Sequence, residues 1–387
     1  MPSVPTTSLD LTAPEVVADP YPFFAVERAA HPVAWHEGTG RFLAFGHASV
    51  GAVQRDRRLG RLWTDRQPAD RLEPFNLLHR NQMMENEPPE HTRLRRPVAR
   101  AFARGHVERL RPRVRELAAT LLAEVDGAGF DAIADYAEPL PVLVICELLG
   151  VPAAHAADLR AWSQAIVRMY EVAPSPEVEA AAIAAATDFA ALVRELAAER
   201  RARPQDDLVS DLVGTELSED EVVAAVVLLL NAGHEASVNV FGNGLTAMLR
   251  RGLRPGADVA LTVEEMLRFD SALQLFERTA TEDVEVAGVV VREGQRIASL
   301  LGAANRDPAV FARPDDFLVD RDPNPHLAFG VGVHFCLGAP LARMELVESV
   351  TALFAAYPDL RLVGDPESRG TFVLRGNRRV PVGGTHA

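Results

Sequence analysis

The most informative stretch of this sequence is Phe329-Gly330-Val331-Gly332-Val333-His334-Phe335-Cys336-Leu337-Gly338. Its single cysteine lies in a glycine-rich segment, and residues 339–345 after it have helical character. Backbone N–H groups and a helix N-terminus favour a thiolate, so we expect the pKa of Cys336 to be lowered. A thiolate held on a rigid loop is the kind of axial ligand that haem iron accepts.

A buried, inert thiol is the simpler alternative, because a lone cysteine is more often a small core residue than a ligand. The three glycines favour the ligand interpretation, since they let the backbone turn sharply and approach another group closely. The whole pattern over residues 329–345, F-G-x-G-x-H-x-C-x-G-x-x-L-A-R-x-E, resembles the haem-binding loop of the cytochrome P450 family of haem-thiolate monooxygenases. The resemblance implies haem b as the cofactor, Cys336 as its metal ligand, and Phe329, Gly330 and Gly338 as parts of the cofactor site.

Composition excludes several classes of protein. The chain has 387 residues with 48% hydrophobic and 24% charged residues, which is typical of a soluble globular protein. Its net charge of −14 argues against nucleic acid as a partner. No run of about 18 uncharged apolar residues occurs, so no membrane association is expected. Two cysteines, Cys146 and Cys336, cannot form a disulfide framework, and the expected location is the cytoplasm.

Local patterns predict a mainly α (α+β) protein, a single domain over residues 1–387 with residues 1–15 as a flexible N-terminal arm. Residues 33–36 and 41–45 read as a β-hairpin. Ser218-Glu219-Asp220-Glu221 is a capping box that predicts a long helix reaching about residue 249. This helix is apolar nearly all round at its start, which indicates a buried central position. Short strands are expected near 281–291, 296–298 and 380–382, so the cytochrome P450 fold is implied: many helices and small segregated sheets around a buried haem.

The pair Glu265 and Arg268 shares one helix face, because residues three apart are neighbours there. Alone it is a common surface ion pair of little value. In its order and spacing before the cysteine it resembles the E-x-x-R motif of the family, which implies a buried network with a later arginine, here Arg321. We assign these residues to the scaffold.

Four basic residues match the family positions that hold the two haem propionates: His91, Arg95, Arg278 and His334. Propionates are anionic, and Arg and His side chains donate charge-assisted hydrogen bonds to carboxylates. For His91 alone, an ordinary surface histidine would be the better interpretation. The set of four favours the cofactor site.

The segment Ala232-Gly233-His234-Glu235-Ala236-Ser237 matches the part of the family's long helix that crosses the distal face of the haem. In the family, small residues such as Gly233 let that helix lie close to the haem iron and leave room for dioxygen. An acid followed by threonine normally helps to deliver protons to the bound oxygen. This chain keeps the acid, Glu235, but has Ala236 in place of threonine. Ser237 is one residue further, about 100° around the helix, and does not simply replace the missing hydroxyl.

Two explanations of Ala236 remain open. A substrate hydroxyl with ordered water supplies the relay, as in some macrolide-ring hydroxylases of the family that carry alanine here. Alternatively, the oxidation is slow, poorly coupled or unusual.

The family resemblance places the substrate pocket among largely apolar residues, each of which is alternatively ordinary core. They are His79, Asn81, Leu229, Asn231, Ala232, Leu273, Phe276 and Phe372. Such a lining suits a medium-sized, largely apolar small molecule with a few oxygens.

The resulting interpretation is a monooxygenase that hydroxylates or epoxidises a natural-product intermediate. As a monomer, it would receive electrons from a ferredoxin and its reductase, docked by electrostatic steering on arginines such as Arg93, Arg96, Arg100 and Arg104. Two rivals share the cysteine motif. One is a peroxide-driven peroxygenase, which usually carries Arg-Pro where this chain has Glu235-Ala236; the other is a haem protein that binds a ligand without turnover.

Residues 251–262 look several residues short for the family, which suggests a trimmed peripheral helix.

Overall fold

Helices dominate the structure, a computed structural model that describes residues 4–102 and 104–387. Short 3-10 turns lie at Met83–Glu85, Ala153–His155 and Arg168–Tyr170, and a π-helical turn at Ala132–Ala137. The α-helices are α1 (Pro14–Ala18), α2 (Tyr21–Ala30), α3 (His47–Arg55), α4 (Ala69–Arg80), α5 (Glu90–Ala99), α6 (Arg104–Glu124), α7 (Pro139–Leu149), α8 (Ala156–Val167), α9 (Pro176–Ala202), α10 (Leu208–Val213), α11 (Glu219–Arg250), α12 (Val259–Phe269), α13 (Leu301–Ala304) and α14 (Ala339–Ala356).

The strands form small sheets that are segregated from the helices. They are β1 (Thr6–Thr7), β2 (Val33–His36), β3 (Arg41–Ala44), β4 (Leu59–Gly60), β5 (Phe130–Asp131), β6 (Leu275–Ala280), β7 (Val284–Val286), β8 (Val289–Val291), β9 (Arg296–Leu300), β10 (Arg361–Leu362), β11 (Glu367–Ser368), β12 (Asn377–Arg379) and β13 (Pro381–Gly383). The largest sheet has the order β1-β2-β3-β9-β6-β4, and the others are β10-β13-β5, β11-β12 and β7-β8. The expected α+β architecture is confirmed.

The N-terminal segment differs from the flexible arm that the sequence suggested. Thr6 and Thr7 pair in parallel with Trp35 and His36 of β2, and Leu9 and Leu11 are buried. His36 fastens the segment further, because its Nε2 lies 2.9 Å from the carbonyl oxygen of Leu9. Leu9 and Leu11 therefore join the core, although Val4 is exposed, and residues 1–3 lie outside the described part of the chain.

Helix α11 begins where its capping box predicted, and most of its residues are buried, as its apolar first half indicated. Ser218 Oγ accepts from the Glu221 N–H at 3.2 Å, and the Glu221 carboxylate accepts from the Ser218 N–H at 2.8 Å. Among the described helices it alone is long and apolar enough to cross a membrane, with a mean hydropathy of 1.4. Since 78% of that window is buried inside the protein, the apolar composition is that of a core helix.

A short connection, residues 251–258, joins α11 to α12 without a helix of its own, in agreement with the trimmed stretch seen in the sequence. Two arginines cover the aromatic surface beside it. The Arg251 guanidinium lies 4.7 Å from the ring centroid of Phe269, and that of Arg254 lies 5.7 Å from the ring of Phe354. Such cation–π contacts shield rings that would otherwise meet water.

Helix α12 anchors the scaffold through its buried carboxylate, Glu265. Both Glu265 oxygens accept from Arg268 at 2.7 Å, and Arg321 Nε donates to Oε2 at 2.9 Å. The Leu318 N–H donates to Oε1 at 2.9 Å. The side chains of Glu265 and Arg268 are completely buried, so the surface-pair interpretation is excluded.

We predict that Glu265→Gln destabilises the protein by about 3–5 kcal/mol, because it leaves two buried guanidinium groups without their countercharge. Denaturant unfolding of the purified protein measures this. The matched control is Glu367→Gln, whose partners Arg378 and Arg379 are largely exposed, and its cost should stay within about 1 kcal/mol. Equal effects of the two variants would contradict a scaffold role for Glu265.

Candidate functional site

The cysteine loop, residues 329–338, is held in place by backbone contacts and by two glycines with positive φ. Gly330 has φ +67° and Gly332 has φ +81°. A Cβ at Gly332 would lie 2.4 Å from the carbonyl oxygen of Gln54, so only glycine fits this approach. The Cys336 N–H donates to the carbonyl oxygen of Phe329 at 3.0 Å, which closes the loop just before α14 begins at Ala339.

The predicted lowering of the Cys336 pKa is wrong for the protein alone. Burial raises the pKa of the Cys336 thiol and outweighs the opposing influences. Those influences are present as expected: the backbone N–H groups of Gly338 and Ala339 and the charges of Arg95 and Arg343 all favour the thiolate. The loop is thus arranged for an anionic sulfur, and a metal cation bound to the sulfur would supply the missing stabilisation.

Basic side chains from three elements converge beside the cysteine loop. We call His91 and Arg95 of α5, Arg278 of β6 and His334 of the loop the basic cluster. The rings of His91 and His334 lie 4.7 Å apart between centroids. Arg95 Nη2 donates to the carbonyl oxygen of Phe335 at 2.8 Å, which brings α5 onto the loop. The structure therefore brings together residues that are far apart in sequence.

Arg278 and His91 of the basic cluster lack the side-chain partners that buried basic groups normally have. Arg278 is 3% exposed, and the only hydrogen bond recorded for its guanidinium in the described residues goes to the carbonyl oxygen of Glu277, at 3.0 Å. Burial and the nearby Arg61 lower the pKa of Arg278 to about 9. Both ring nitrogens of the buried His91 have no hydrogen-bond partner, and burial lowers the pKa of His91 to about 4.

Glu87 is the one carboxylate that contacts the basic cluster directly in the described part of the chain. Its Oε1 lies 2.8 Å from Nε2 of His334. This contact leaves Arg278 without an ion pair and the neutral His91 without a hydrogen bond, and buried polar groups without partners are costly. A bound dianion with two carboxylates fits the cluster, because it would give each of these side chains an acceptor.

Ala232, Gly233 and Ala236 of α11 are more accessible than the residues that precede them in the helix. Residues 222–231 are all buried, whereas Ala232 is exposed and Gly233 and Ala236 are half-buried. A Cβ at Gly233 would lie 3.6 Å from Cδ1 of Ile145, an ordinary van der Waals distance, so packing against Ile145 does not require glycine. Small residues here leave room for a bound group.

Ser237 points elsewhere, as its helical position indicated. It lines a small cavity of about 20 Å³ together with Glu345 and Ser349 of α14, away from the Ala232–Gly233–Ala236 face. Glu345 is buried there, which raises its pKa to about 8. The hydroxyl of Ser237 therefore does not occupy the place of the missing threonine.

Glu235 is part of a charged chain that sequence reasoning missed. Arg369 Nη1 lies 3.9 Å from Glu235 Oε2, and Arg369 Nη2 donates to Glu138 Oε1 at 2.7 Å. Arg160, which is 41% exposed, donates to Glu138 Oε2 at 3.3 Å. This series of charged side chains runs from the surface to α11. No local sequence pattern could reveal it, because its members are far apart in sequence.

The other oxygen of Glu235 has no hydrogen-bond partner, and neither has either nitrogen of the adjacent buried His234. Burial and the nearby Glu138 raise the pKa of Glu235 to about 7, against the opposing charge of Arg369. Burial lowers the pKa of His234 to about 3. Glu235 is therefore a carboxyl group that can exchange a proton near neutral pH.

The residues predicted to line a substrate pocket fall into two groups. His79 is fully engaged: Nδ1 lies 2.7 Å from the carbonyl oxygen of Phe75 and Nε2 lies 3.1 Å from the Tyr170 hydroxyl, so no ring nitrogen is free. Asn81 donates to the carbonyl oxygen of Leu77. The other predicted residues are apolar, apart from Asn231, whose Oδ1 has no hydrogen-bond partner. Leu229, Asn231 and Phe372 are buried, Leu273 and Phe276 are half-buried, and Ala232 is exposed.

The arginines proposed for docking are not equivalent. Arg93 forms ion pairs with Glu90 and Glu221, so its charge is compensated. Arg96 and Arg100 are exposed. The side chain of Arg104 lies outside the described part of the structure.

Comparisons with known proteins agree with this geometry. A family model described as Cytochrome P450 matches residues 259–357. Cytochrome P450 monooxygenase PikC of Streptomyces venezuelae is 36% identical over 405 residues, which cover 98% of this chain and 94% of that protein. The 6-deoxyerythronolide B hydroxylase of Saccharopolyspora erythraea is 35% identical over 404 residues, covering 97% and 99%. The crystal structure of P450BioI in complex with an acyl carrier protein ligated with hexadec-9Z-enoic acid superposes with a TM-score of 0.92 at 32% identity, covering 96% of this chain and 99% of that chain.

We predict that Glu235→Gln changes the pH dependence of stability. A carboxyl whose pKa rises from 4.5 to about 7 on folding contributes stability below pH 4.5 that is lost as pH rises through 7. The difference between the unfolding free energies of wild type and variant should therefore be constant only below about pH 4, and it should change progressively between pH 4.5 and pH 7. Between pH 5 and pH 8 the wild type should lose about 2–3 kcal/mol relative to the variant. A difference that does not change between pH 5 and pH 8 would show that Glu235 is ionised throughout.

Proposed function

Because the chain belongs to the cytochrome P450 family, whose members bind haem b and act as monooxygenases, we propose that it inserts one oxygen atom of dioxygen into a medium-sized, largely apolar small molecule. The product is a hydroxylated or epoxidised natural-product intermediate. The basic cluster carries this proposal, since its buried, uncompensated charge lies beside a loop that presents a cysteine.

Each part of the site has a role toward the cofactor. Haem ligated by a thiolate supplies the chemistry that activates dioxygen. Cys336 would be the ligand, and the basic cluster would hold the two propionates through charge-assisted hydrogen bonds. The small residues Ala232, Gly233 and Ala236 would leave room for the group, and the buried apolar residues of α11 before them would limit the access of bulk water.

Proton supply is the step in which this chain's own residues matter most. We assign Glu235 as the group that holds and passes the proton, because it directly precedes Ala236 in α11 and burial brings its pKa near neutrality. Its Oε1 makes no hydrogen bond, and Nδ1 of His234 lies 3.5 Å away. Arg369 and Glu138 link it to the exposed Arg160. The guanidinium groups keep their own protons, so reprotonation of Glu235 would use water that follows this polar series of side chains from the surface. Between Glu235 and the substrate, ordered water and a substrate hydroxyl take the place of the missing threonine.

The substrate class follows from the lining. Leu229, Leu273, Phe276 and Phe372 are apolar, and Asn231 offers one unpaired acceptor. One relative, which resembles 97% of this chain, is by its name a hydroxylase of 6-deoxyerythronolide B. A relay that needs a substrate hydroxyl also favours an oxygen-bearing molecule.

Electrons come from a ferredoxin and its reductase, and the protein acts as a cytoplasmic monomer. The exposed Arg96 and Arg100 belong to an acidic molecule with a net charge of −14, so they form a local positive surface for an acidic electron carrier.

We predict that the reduced protein with carbon monoxide shows the strongly red-shifted Soret band of a haem thiolate, and that Cys336→Ala abolishes it. The matched control is Cys146→Ala, which removes a buried thiol of α7 and should leave the band unchanged. A wild-type band that is not red-shifted, or one that survives in Cys336→Ala, would contradict the assignment of the ligand.

We predict that, with a compound that lacks a hydroxyl, Ala236→Thr raises the fraction of NAD(P)H recovered as product several-fold, because the threonine supplies the hydroxyl that an oxygen-bearing substrate otherwise provides. The control is Ala236→Val, which has the same shape without the hydroxyl. The measurement uses a ferredoxin system and a compound that shifts the haem spin state. Equal coupling in both variants would show that a hydroxyl at this position plays no part in proton supply. Product with peroxide and none with NAD(P)H would favour a peroxygenase, and binding without either product a haem protein without turnover.

A further inference from the structure

Glu264 lies next to the buried Glu265 but points to a different part of the protein, because successive residues of a helix are about 100° apart. Its two oxygens accept from Arg343 Nε at 2.6 Å and from Arg343 Nη2 at 2.9 Å. This is the bidentate geometry that fixes a guanidinium in position. Neither the scaffold network of Glu265 nor the basic cluster uses this pair.

A histidine completes the surroundings of Glu264. Nδ1 of His326 accepts from the Ala328 N–H at 3.2 Å, so Nε2 carries the proton and donates to Glu264 Oε2 at 3.0 Å. The Glu264 carboxylate thus binds one group before the cysteine loop and one after it. The hydrogen bonds from Arg343 and His326 lower the pKa of Glu264 to about 2, so it is ionised at any working pH.

Arg343 reaches from α14 to the beginning of the cysteine loop. Its guanidinium lies 4.5 Å from the ring centroid of Phe329, a cation–π contact. The carbonyl oxygen of Phe329 accepts the N–H of Cys336 at 3.0 Å. The positive charge of Arg343 is therefore held beside the residue that fixes the cysteine, and it is among the charges that favour the thiolate.

We propose that Glu264 is a positioning residue for the cysteine ligand. It holds the Arg343 guanidinium against the cysteine loop, and the balance of these two charges sets how strongly the Cys336 thiolate donates electron density to the haem iron. The inference rests on the proposed function, because it concerns the potential of a haem bound through Cys336.

The sign of the effect follows from electrostatics. A positive charge near the thiolate stabilises the additional electron of the reduced haem, and a negative charge opposes it. Glu264→Gln leaves Arg343 without its countercharge and raises the reduction potential. Arg343→Gln leaves the Glu264 carboxylate and lowers it. A loosened loop would shift both variants in the same direction, so opposite shifts distinguish charge from structure.

The experiment is a spectroelectrochemical titration of the haem-loaded protein, after the ferrous carbon monoxide band has established thiolate ligation. We expect the two variants to move the equilibrium between ferric and ferrous haem roughly three- to tenfold in opposite directions. A tenfold change corresponds to about 59 mV for one electron. The double variant Glu264→Gln/Arg343→Gln removes both charges, so its reduction potential should be close to that of the wild type. Arg343→Lys keeps the positive charge but not the two parallel hydrogen bonds, and its reduction potential should also be close to that of the wild type.

The control variant is Glu348→Gln, which lies on α14, the helix that carries Arg343. Glu348 is equally an ion-paired and largely buried carboxylate, bound by Arg115 Nε at 2.6 Å, but it lies nine residues beyond Ala339. Its potential should equal that of the wild type. Unchanged potentials in both single variants, or shifts of the same sign, overturn the inference while leaving the proposed function intact. A wild type without the thiolate band overturns both.

Discussion

Unpaired buried basic side chains beside the cysteine loop are the constraint on which the proposed site depends. Arg278 comes from β6 and is buried without an ion pair, and His91 comes from α5 and is buried without a hydrogen bond. Such groups are costly in a protein interior, and a bound anion would give both of them an acceptor. We therefore propose that the basic cluster binds the propionates of the same haem whose iron Cys336 ligates.

Helix α12 connects this site to the rest of the fold through two adjacent carboxylates. Glu265 binds Arg268 and Arg321 in the interior, which fixes the segment before the cysteine loop. Glu264 binds His326 and Arg343, which lie on either side of the loop. One helix thus determines both the position of the loop and the charge near its thiolate, whereas the opposite face of the site depends on α11 and the chain of charges from Glu235 to Arg160.

The sequence predicted features that local chemistry determines. The capping box at Ser218 predicted the start of α11. The turn at residues 37–40 predicted the β-hairpin of β2 and β3, and the motif around Cys336 identified the cysteine loop. The chain of Arg369 and Glu138 escaped prediction, because 231 residues separate its members and neither has a local signature. The prediction that the pKa of Cys336 is lowered was wrong, because a motif shows the hydrogen-bond donors near a thiol but not how deeply the thiol is buried. Residues 4–15 were misjudged because their partners in the core are distant in sequence.

The central claim is that the basic cluster and the cysteine loop bind one ligand together. A crystal structure of the haem-loaded protein tests it most directly. The account predicts both propionates within hydrogen-bonding distance of His91, Arg95, Arg278 and His334, with Cys336 Sγ bound to the iron and the Ala232–Gly233–Ala236 face of α11 across from it. Propionates that lie outside the cluster, with Arg278 and His91 still unpaired, would contradict it.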